Sequence, residues 1–469
     1  MHQQLRFGGL FLILVLLLAP WTAGAAEAPT LTLKQLTAMA LSFSPEVKAS
    51  KSEVRFAEAQ KDEARGYYFP QVDVTGLGGL APNAKRPTVN VVGAKGYLDY
   101  KYTASNPKGV SVFGRLEMEV VQPLYTFGKI AYREEAAAKN IKVKEAGVDA
   151  KRGEVIARVA EAYYGLVLAE QGKDAVREAR TYLSDTKERI NRLLRINSPS
   201  VKESDRYRLA MYEGSVEKFA AQAEEGAKVA YQALKAMIGY GPGQDFKMPA
   251  ELPNPAAAAG TLDQHIRTAL EMRPEFTQLR EGLVARQLLV DAARADQYPS
   301  FFAAVMGALA GAPNRQKAKD PYINDYFNAA YAFPVVGVKW HLDFGITKAK
   351  IKQAQAELEQ LQENQKTALM GIPVEVAMAY GKVQENYKGS QGLEKSYVNA
   401  RRWLITAFSN FDMGLGKMED IFNAFEKYGV FRGDYLLSLY QYNLAAAQLD
   451  KATGAYRRAL PPETPPARK

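Results

Sequence analysis

The sequence contains no cysteine and only three histidines in 469 residues. The absence of cysteine excludes disulfide bonds, thiolate metal ligands and cysteine nucleophiles. The histidines, His2, His265 and His341, are too few and too scattered for a histidine metal cage or a histidine-based catalytic triad. We therefore expect a protein that is not an enzyme, with no catalytic residue, no cofactor and no metal site.

Long apolar runs are also missing. The longest, Phe7–Ala19, has about 13 residues, whereas a helix that crosses a membrane needs about 20. Because Arg6 precedes this run and small residues follow at 23–26, the pattern is typical of a secretory signal peptide. We predict a signal peptide at 1–25 and an exported chain that begins near Glu27. Such a chain can enter a membrane only as strands of a closed barrel.

Charge is only mildly one-sided. Lys and Arg number 61 against 51 Asp and Glu, which gives a net charge of +10. No basic cluster with interleaved aromatic residues accompanies this excess. The sequence therefore predicts no nucleic acid partner.

The sequence does contain an internal duplication. Nine residues of the first half recur in the second half at one offset of 229, as from Pro70 to Pro299. The first set is Thr32, Leu33, Ala40, Leu41, Pro45, Glu46, Ala64, Arg65 and Pro70, and the second is Thr261, Leu262, Ala269, Leu270, Pro274, Glu275, Ala293, Arg294 and Pro299. Further on, Phe127 and Gly128 recur as Phe344 and Gly345, at an offset of 217. Such constant spacing indicates two halves that are built alike.

Each half has the same order of predicted elements: helix, strand, loop, strand, very long helix and return helix. The first repeat, at 27–260, has strands at about 71–80 and 110–126, a long helix at 129–196, a return helix at 202–238 and a linker at 239–260. The second, at 261–455, has strands at about 300–310 and 331–343, a long helix at 346–413 and a return helix at 417–453. A disordered tail is predicted at 456–469, where prolines are frequent.

The second strand of each half alternates between apolar and polar side chains, which is the period of two that strands show. The charged side of these strands holds Arg115, Glu117, Glu119, Lys339 and Asp343. A soluble hairpin on a core is the alternative interpretation. The long helices argue against it, because a helix of about 67 residues spans about 100 Å, more than a compact domain contains.

Both long helices end in short turns with residues that tolerate the left-handed backbone conformation. The predicted tips are Asn197, Ser198, Gly414, Leu415 and Gly416. At the other end of the helices, the loops at 81–109 and 311–329 contain tyrosines that suit an aromatic girdle at a membrane interface. These are Tyr97, Tyr100, Tyr102, Tyr322 and Tyr326.

Four strands per chain cannot close a barrel, because lipid tolerates no open sheet edge. Two copies would give eight strands, whose interior side chains fill the barrel; three copies would give twelve strands around a lumen. We predict a homotrimer whose lumen is lined by the charged side of the strands.

The two-fold repeat, the paired openings of the halves, the Phe-Gly pairs and the matching segments Val159–Tyr163 and Val376–Tyr380 resemble the TolC family of outer membrane efflux proteins. The resemblance covers nearly the whole mature chain. It implies a mainly α fold with a membrane β-barrel. In that fold, a trimeric twelve-stranded barrel with four strands per chain is continued by a long α-helical barrel.

The resemblance also implies a location and partners. The trimer would lie in the lipid of the outer membrane of a Gram-negative bacterium and extend into the periplasm. Its tips would dock a periplasmic adaptor (membrane fusion) protein, joined to an inner-membrane efflux pump or exporter. The channel would passively conduct small molecules such as drugs, solvents or metal ions. A duct for type I protein secretion and a periplasmic coiled-coil scaffold without a pore are the alternatives.

In well-studied members of the family, two aspartates three residues apart ring the closed entrance beyond the second tip. Counting from Gly414, the first position is Asp420, and the second is Asn423. Glu419 would add charge if it faced inward. Asp420 could instead only cap the return helix, where an acidic side chain near the N-terminus is favoured by roughly 0.3 to 1 kcal/mol.

Those members also latch the entrance with a tyrosine and an arginine on either side of the tip glycine. Here the two positions hold Phe411 and Gly416. Phe411 has no hydroxyl and Gly416 no guanidinium, so the latch implied by the resemblance cannot form.

Overall fold

The computed structural model of the chain describes residues 28–83, 88–92, 97–101, 109–249, 251–257, 259–313, 315 and 325–460. The predicted signal peptide and the predicted girdle residues Tyr102 and Tyr322 lie outside these ranges.

The elements of the two halves match in order and in length. The helices are α1 (Leu33–Phe43), α2 (Pro45–Gly66), α3 (Lys129–Arg195), α4 (Glu203–Ile238), α5 (Leu262–Met272), α6 (Pro274–Ala295), α7 (Ile346–Asp412) and α8 (Met418–Thr453). The strands are β1 (Gln71–Pro82), β2 (Thr88–Val92), β3 (Tyr97–Lys101), β4 (Val110–Tyr125), β5 (Ser300–Gly311) and β6 (Ala330–Lys339). α3 and α7 each have 67 residues, and α4 and α8 each have 36, so the chain consists of two structural repeats.

Among the residues that recur, one threonine and one proline in each half start helices. Thr32 and Thr261 precede α1 and α5, and the side chain of each accepts a hydrogen bond from the backbone N–H of a glutamine three residues later. The glutamine side chain returns the bond to the threonine N–H, which completes a capping box. Pro45 and Pro274 occupy the first position of α2 and α6, where proline costs no hydrogen bond.

Four strands form one antiparallel sheet in the order β1-β4-β5-β6, so β1 and β6 are its edges. One face of the sheet exposes large apolar side chains. They include Val72, Val74, Val112, Leu116, Met118, Leu309, Val336 and Val338. The opposite face carries Asp73, Arg115, Glu117, Glu119 and Lys339. An exposed apolar face of this size marks a contact with lipid or with another chain.

The helices lie side by side in one layer. Near the sheet the neighbours are α2, α3, α6 and α7 in that order, and toward the tips they are α4, α3, α8 and α7. Buried side chains of α3, α4, α7 and α8 form the core at the tips, with Ile190, Leu404 and Phe422 almost fully buried. Within the described ranges, no helix is both long enough and apolar enough to cross a membrane.

The structure differs from the sequence predictions in three places. The loop predicted at 81–109 contains the two-stranded sheet of β2 and β3, which holds the backbone of Tyr97 and Tyr100. The strand predicted at 331–343 ends at Lys339, because β5, its only partner among the described strands, begins opposite at Ser300.

The predicted disordered tail is ordered at its start. Residues Ala455–Ala459 form a short 3-10 helix. Tyr456 is buried there, and its hydroxyl donates to the backbone oxygen of Asp149 at 2.8 Å. A Cβ atom on Gly153 would lie 2.6 Å from this ring, so the glycine makes room for it. The prediction is wrong for residues 456–460, because Tyr456 buries its ring against α3. Residues 461–469, which contain the prolines, lie outside the described ranges.

Candidate functional site at the helical tips

Each hairpin tip closes through one residue in the left-handed conformation. Asn197 has φ 48° and Gly414 has φ 75°. Beyond them, the N–H of Ser198 donates to Leu193 O at 3.0 Å, and the N–H of Leu415 donates to Asn410 O at 2.8 Å. These bonds satisfy carbonyl groups at the end of each long helix. The predicted conformation of both turns is confirmed.

The tips present apolar side chains to their surroundings. Leu415 is 80% exposed and Ile196 is 70% exposed, and Met413 is similarly open. They are available for contact with another protein.

The acidic residues at the start of α8 have different surroundings. The carboxylate of Asp420 accepts a hydrogen bond from the N–H of Lys417 at 3.0 Å, so the capping interaction is present. Its side chain is nevertheless exposed, as is that of Glu419. Asn423 is half-buried and its side-chain oxygen accepts a hydrogen bond from Arg208 at 2.9 Å.

Phe411 is part of the core rather than of the surface. It is buried, and it belongs to the same cluster as Leu404, Met418 and Phe422. The position that the family resemblance assigns to a latch therefore packs the tip.

The residue after Phe411, Asp412, forms an ion pair that joins the two hairpins. Arg189 of α3 donates from Nε and Nη2 to the two carboxylate oxygens of Asp412, at 2.9 Å each. The Arg189 hydrogen bond lowers the pKa of Asp412, against a smaller opposing effect of burial. Two parallel bonds fix the relative orientation of the groups as well as their distance. The sequence analysis missed this pair, since its members lie 223 positions apart.

Further contacts between the hairpins follow along α4 and α8. Arg208, bonded to Asn423, also lies over the ring of Phe422, at 5.2 Å from its centroid. Tyr212 stacks on Phe422 with centroids 5.7 Å apart, and its hydroxyl donates to Glu426 at 3.2 Å. The first hairpin, α3 and α4, thus contributes arginines and a tyrosine. The second hairpin, α7 and α8, contributes the hydrogen-bond acceptors and the ring of Phe422.

At the other end of the molecule, the charged face of the sheet is only partly open. Glu119 and Lys339 are exposed and Glu117 is half-buried. Arg115, predicted to line a lumen, is buried. It donates to Glu117 and to Tyr326 O, the latter at 2.9 Å, and the Tyr326 ring covers its guanidinium at 4.2 Å.

Asp343 lies beyond β6 and not in a strand. Its carboxylate accepts hydrogen bonds from the N–H of Gly345 at 3.2 Å and of Thr347 at 2.9 Å. These bonds, with one from the Thr347 hydroxyl as the largest cause, lower the pKa of Asp343. Asp343 therefore caps α7. The predicted place of Asp343 on a strand is corrected, because free N–H groups at a helix start attract a carboxylate.

The arrangement defines a class of protein: an elongated subunit with an apolar sheet face at one end and paired helical hairpins at the other. Residues 265–455 match the family model described as outer membrane efflux protein. The second repeat is therefore similar to that family, and the predicted two-repeat, mainly α fold is confirmed.

Solved channels show the same fold over most of the chain. CusC, from a study of its folding and transmembrane channel formation, has a TM-score of 0.72 at 19% identity, over 90% of this chain and 92% of CusC. The outer membrane protein VceC of Vibrio cholerae has a TM-score of 0.71 at 17% identity, over 90% and 96%. The open state of the Neisseria gonorrhoeae MtrE outer membrane channel has 0.70 at 19%, over 90% and 88%. No curated protein sequence matches the chain.

Proposed function

We propose that three copies of this chain form an outer membrane exit duct for small molecules such as drugs, solvents or metal ions. The observation that carries the proposal is the sheet: it has two open edges and one exposed apolar face. Such a sheet is stable in lipid only when other copies pair with its edges. Three copies give twelve strands, which leave a lumen, whereas eight strands fill their interior.

The helices prolong this lumen into the periplasm. α4 and α7 are the outermost helices of the layer toward the tips, and both expose apolar side chains. On α4 these include Tyr207, Met211 and Phe219, and on α7 Trp403 and Ile405. Contact between α4 of one copy and α7 of the next would bury both sets and close a helical tube.

The tips are the proposed entrance. The exposed residues Leu415 and Gly414, with Asn197, Ser198 and Gly416, would dock a periplasmic adaptor protein that is joined to an inner-membrane pump. Asp420 and Glu419 would place negative charge at the entrance, with Asn423 behind them, while Phe411 packs the tip from within. The Arg189–Asp412 pair would hold the hairpins together in the closed state.

Recordings from the purified oligomer in a planar lipid bilayer test the duct. We expect ionic currents whose cation selectivity falls with rising salt, because salt screens exposed charge. A trimer that dissociates on heating in detergent should accompany them. A monomer released with the soluble periplasmic fraction would contradict the proposal.

Deletion of the gene tests the cargo. We expect greater susceptibility to drugs, solvents or metal ions. Loss of one secreted protein from the medium, with unchanged susceptibility, would instead indicate protein secretion.

A further inference from the structure

The halves of the sheet are equivalent strand by strand. β1 and β5 have 12 residues each and begin at Gln71 and Ser300, which are 229 positions apart. Gln71 lies opposite Val121, and Ser300 lies opposite Lys339. Val121 of β4 is therefore equivalent to Lys339 of β6, at an offset of 218.

Beyond Val121, β4 continues and has an irregularity, whereas β6 ends at Lys339. The register of β4 on β5 shifts between Pro123 and Tyr125. One extra residue there explains why Phe127 and Phe344 are 217 positions apart rather than 218. After the shift, Tyr125 pairs with Phe301. The equivalent of Tyr125 is Leu342, 217 positions later, and the equivalent of Phe301 is Val72, 229 positions earlier.

The pairing of β4 with β5 inside one chain therefore gives a register for β6 with β1 of another copy. Val120 pairs with Val305 inside one chain. The equivalent of Val120 is Val338 and the equivalent of Val305 is Gly76, so Val338 faces Gly76 of the other copy. The facing residues across the two copies are Val336 with Gly78, Val338 with Gly76 and Leu342 with Val72. All six lie on the apolar side, and bulky side chains of β6 face glycines of β1.

The same register brings opposite charges together on the other face. Lys339 faces Thr75, with Asp73 diagonal to it, within reach of a lysine side chain. Asp73 and Lys339 are both exposed, and neither forms an ion pair among the described residues. A second copy would supply each with a partner of opposite charge.

Two equivalent phenylalanines differ in their surroundings. Phe127 and Phe344 share the left-handed backbone, with φ 53° and 50°. The Phe127 ring stacks on Tyr298 with centroids 5.2 Å apart and lies 6.4 Å from that of Phe301. Phe344 is fully exposed.

The repeat supplies the missing partners of Phe344. The equivalents of Tyr298 and Phe301 are Phe69 and Val72, at the offset of 229. Both are more than half exposed in the chain. Each therefore has a surface that is free for another copy.

We propose that residues 336–344 form the contact with residues 69–78 of a second copy, in this register, and that Phe344 packs on Phe69 and Val72 of that copy. Residues 340–342 then extend β6 as residues 123–125 extend β4. The inference rests on the assembly proposed above and specifies which side chains meet.

Paired cysteines test the register, because the natural chain has none to interfere. Directly opposite residues have Cβ atoms about 4.5–5.5 Å apart. The variant Leu342→Cys with Val72→Cys should give covalent multimers under mild oxidation or with a short thiol cross-linker. Leu342→Cys with Gly76→Cys is the matched control on the same face. It should give none, since four residues add about 13 Å.

The outcomes separate the two proposals. Cross-linking of the control pair, or of neither pair in a protein that is trimeric by mass, would overturn the register while the duct stands. A purified protein that remains monomeric would overturn the duct itself.

Substitution of the two phenylalanines is an independent test. Phe344→Ala should raise the dissociated fraction of the trimer about three- to tenfold, as expected for the loss of an aromatic contact. Phe69→Ala in the same chain should add little to this effect. Phe127→Ala should instead destabilise the monomer. If the effect of the double variant were the sum of the effects of Phe344→Ala and Phe69→Ala, the two rings would not be in contact.

Discussion

Arg189 and Asp412 hold the ends of the two long helices together through two parallel hydrogen bonds of 2.9 Å. The arginine belongs to the first repeat and the aspartate to the second, so the pair adds to the contacts that join the two hairpins. Arg189 also lies over the ring of Phe408, 5.0 Å from its centroid.

Arg189→Ala should make the channel open more readily. An ion pair of this exposure contributes about 0.2–1 kcal/mol, so the ratio of open to closed states should rise about 1.4- to 5-fold per chain. Single-channel recording measures this ratio. Arg180→Ala is the matched control: Arg180 binds Glu217 through two bonds, but both residues belong to the first hairpin. Equal effects of the two substitutions would exclude a latch.

Acid should weaken the same contact. The pKa of Asp412 is lowered, chiefly by the Arg189 hydrogen bond, from an ordinary value of 3.8. When the pH is above the ordinary pKa, a carboxylate whose pKa is lowered by a contact stabilises that contact in full. This stabilisation is lost as the pH falls through the lowered pKa. Below about pH 4 the wild-type open fraction should approach that of Asp412→Asn. A constant difference between the two proteins down to pH 2 would contradict this assignment.

The capping hydrogen bond of Asp420 and its negative charge can be tested separately. Asp420→Asn keeps an oxygen that can accept the Lys417 N–H, whereas Asp420→Ala removes it. Both should weaken the block of single-channel current by multivalent cations. The alanine variant should lose more helix stability than the asparagine variant, by about 0.5–1.5 kcal/mol, because it also loses the hydrogen bond. Unchanged block in both variants would remove Asp420 from the entrance.

Gly153→Ala should destabilise the packing of the C-terminal segment. The added Cβ would lie 2.6 Å from the ring of Tyr456, and overpacking of this kind costs about 1–3 kcal/mol. The stability lost through Gly153→Ala should be smaller when the substitution is made in a chain that already carries Tyr456→Ala, because the large ring is then absent. Gly165→Ala is the control in the same helix, since its Cβ meets only Tyr440 at 4.0 Å. Thermal unfolding monitored by circular dichroism measures all four variants.

The sequence by itself determined the repeat, the long helices, the turns at Asn197 and Gly414 and the alternating strands. The repeat is visible because the two halves of one sequence can be compared. The other features depend on residues a few positions apart: a glycine that turns, a side chain that alternates. Periodicity and turn chemistry act locally, so one sequence reveals them.

Only the tertiary structure decided which distant groups meet. Arg115 lies under Tyr326, Arg208 binds Asn423, and Arg189 binds Asp412 across 223 positions. Charge on a strand or helix shows that a side chain is polar, but not which partner the fold brings within 3 Å. That choice depends on the order in which helices and strands pack, and no local spacing encodes it.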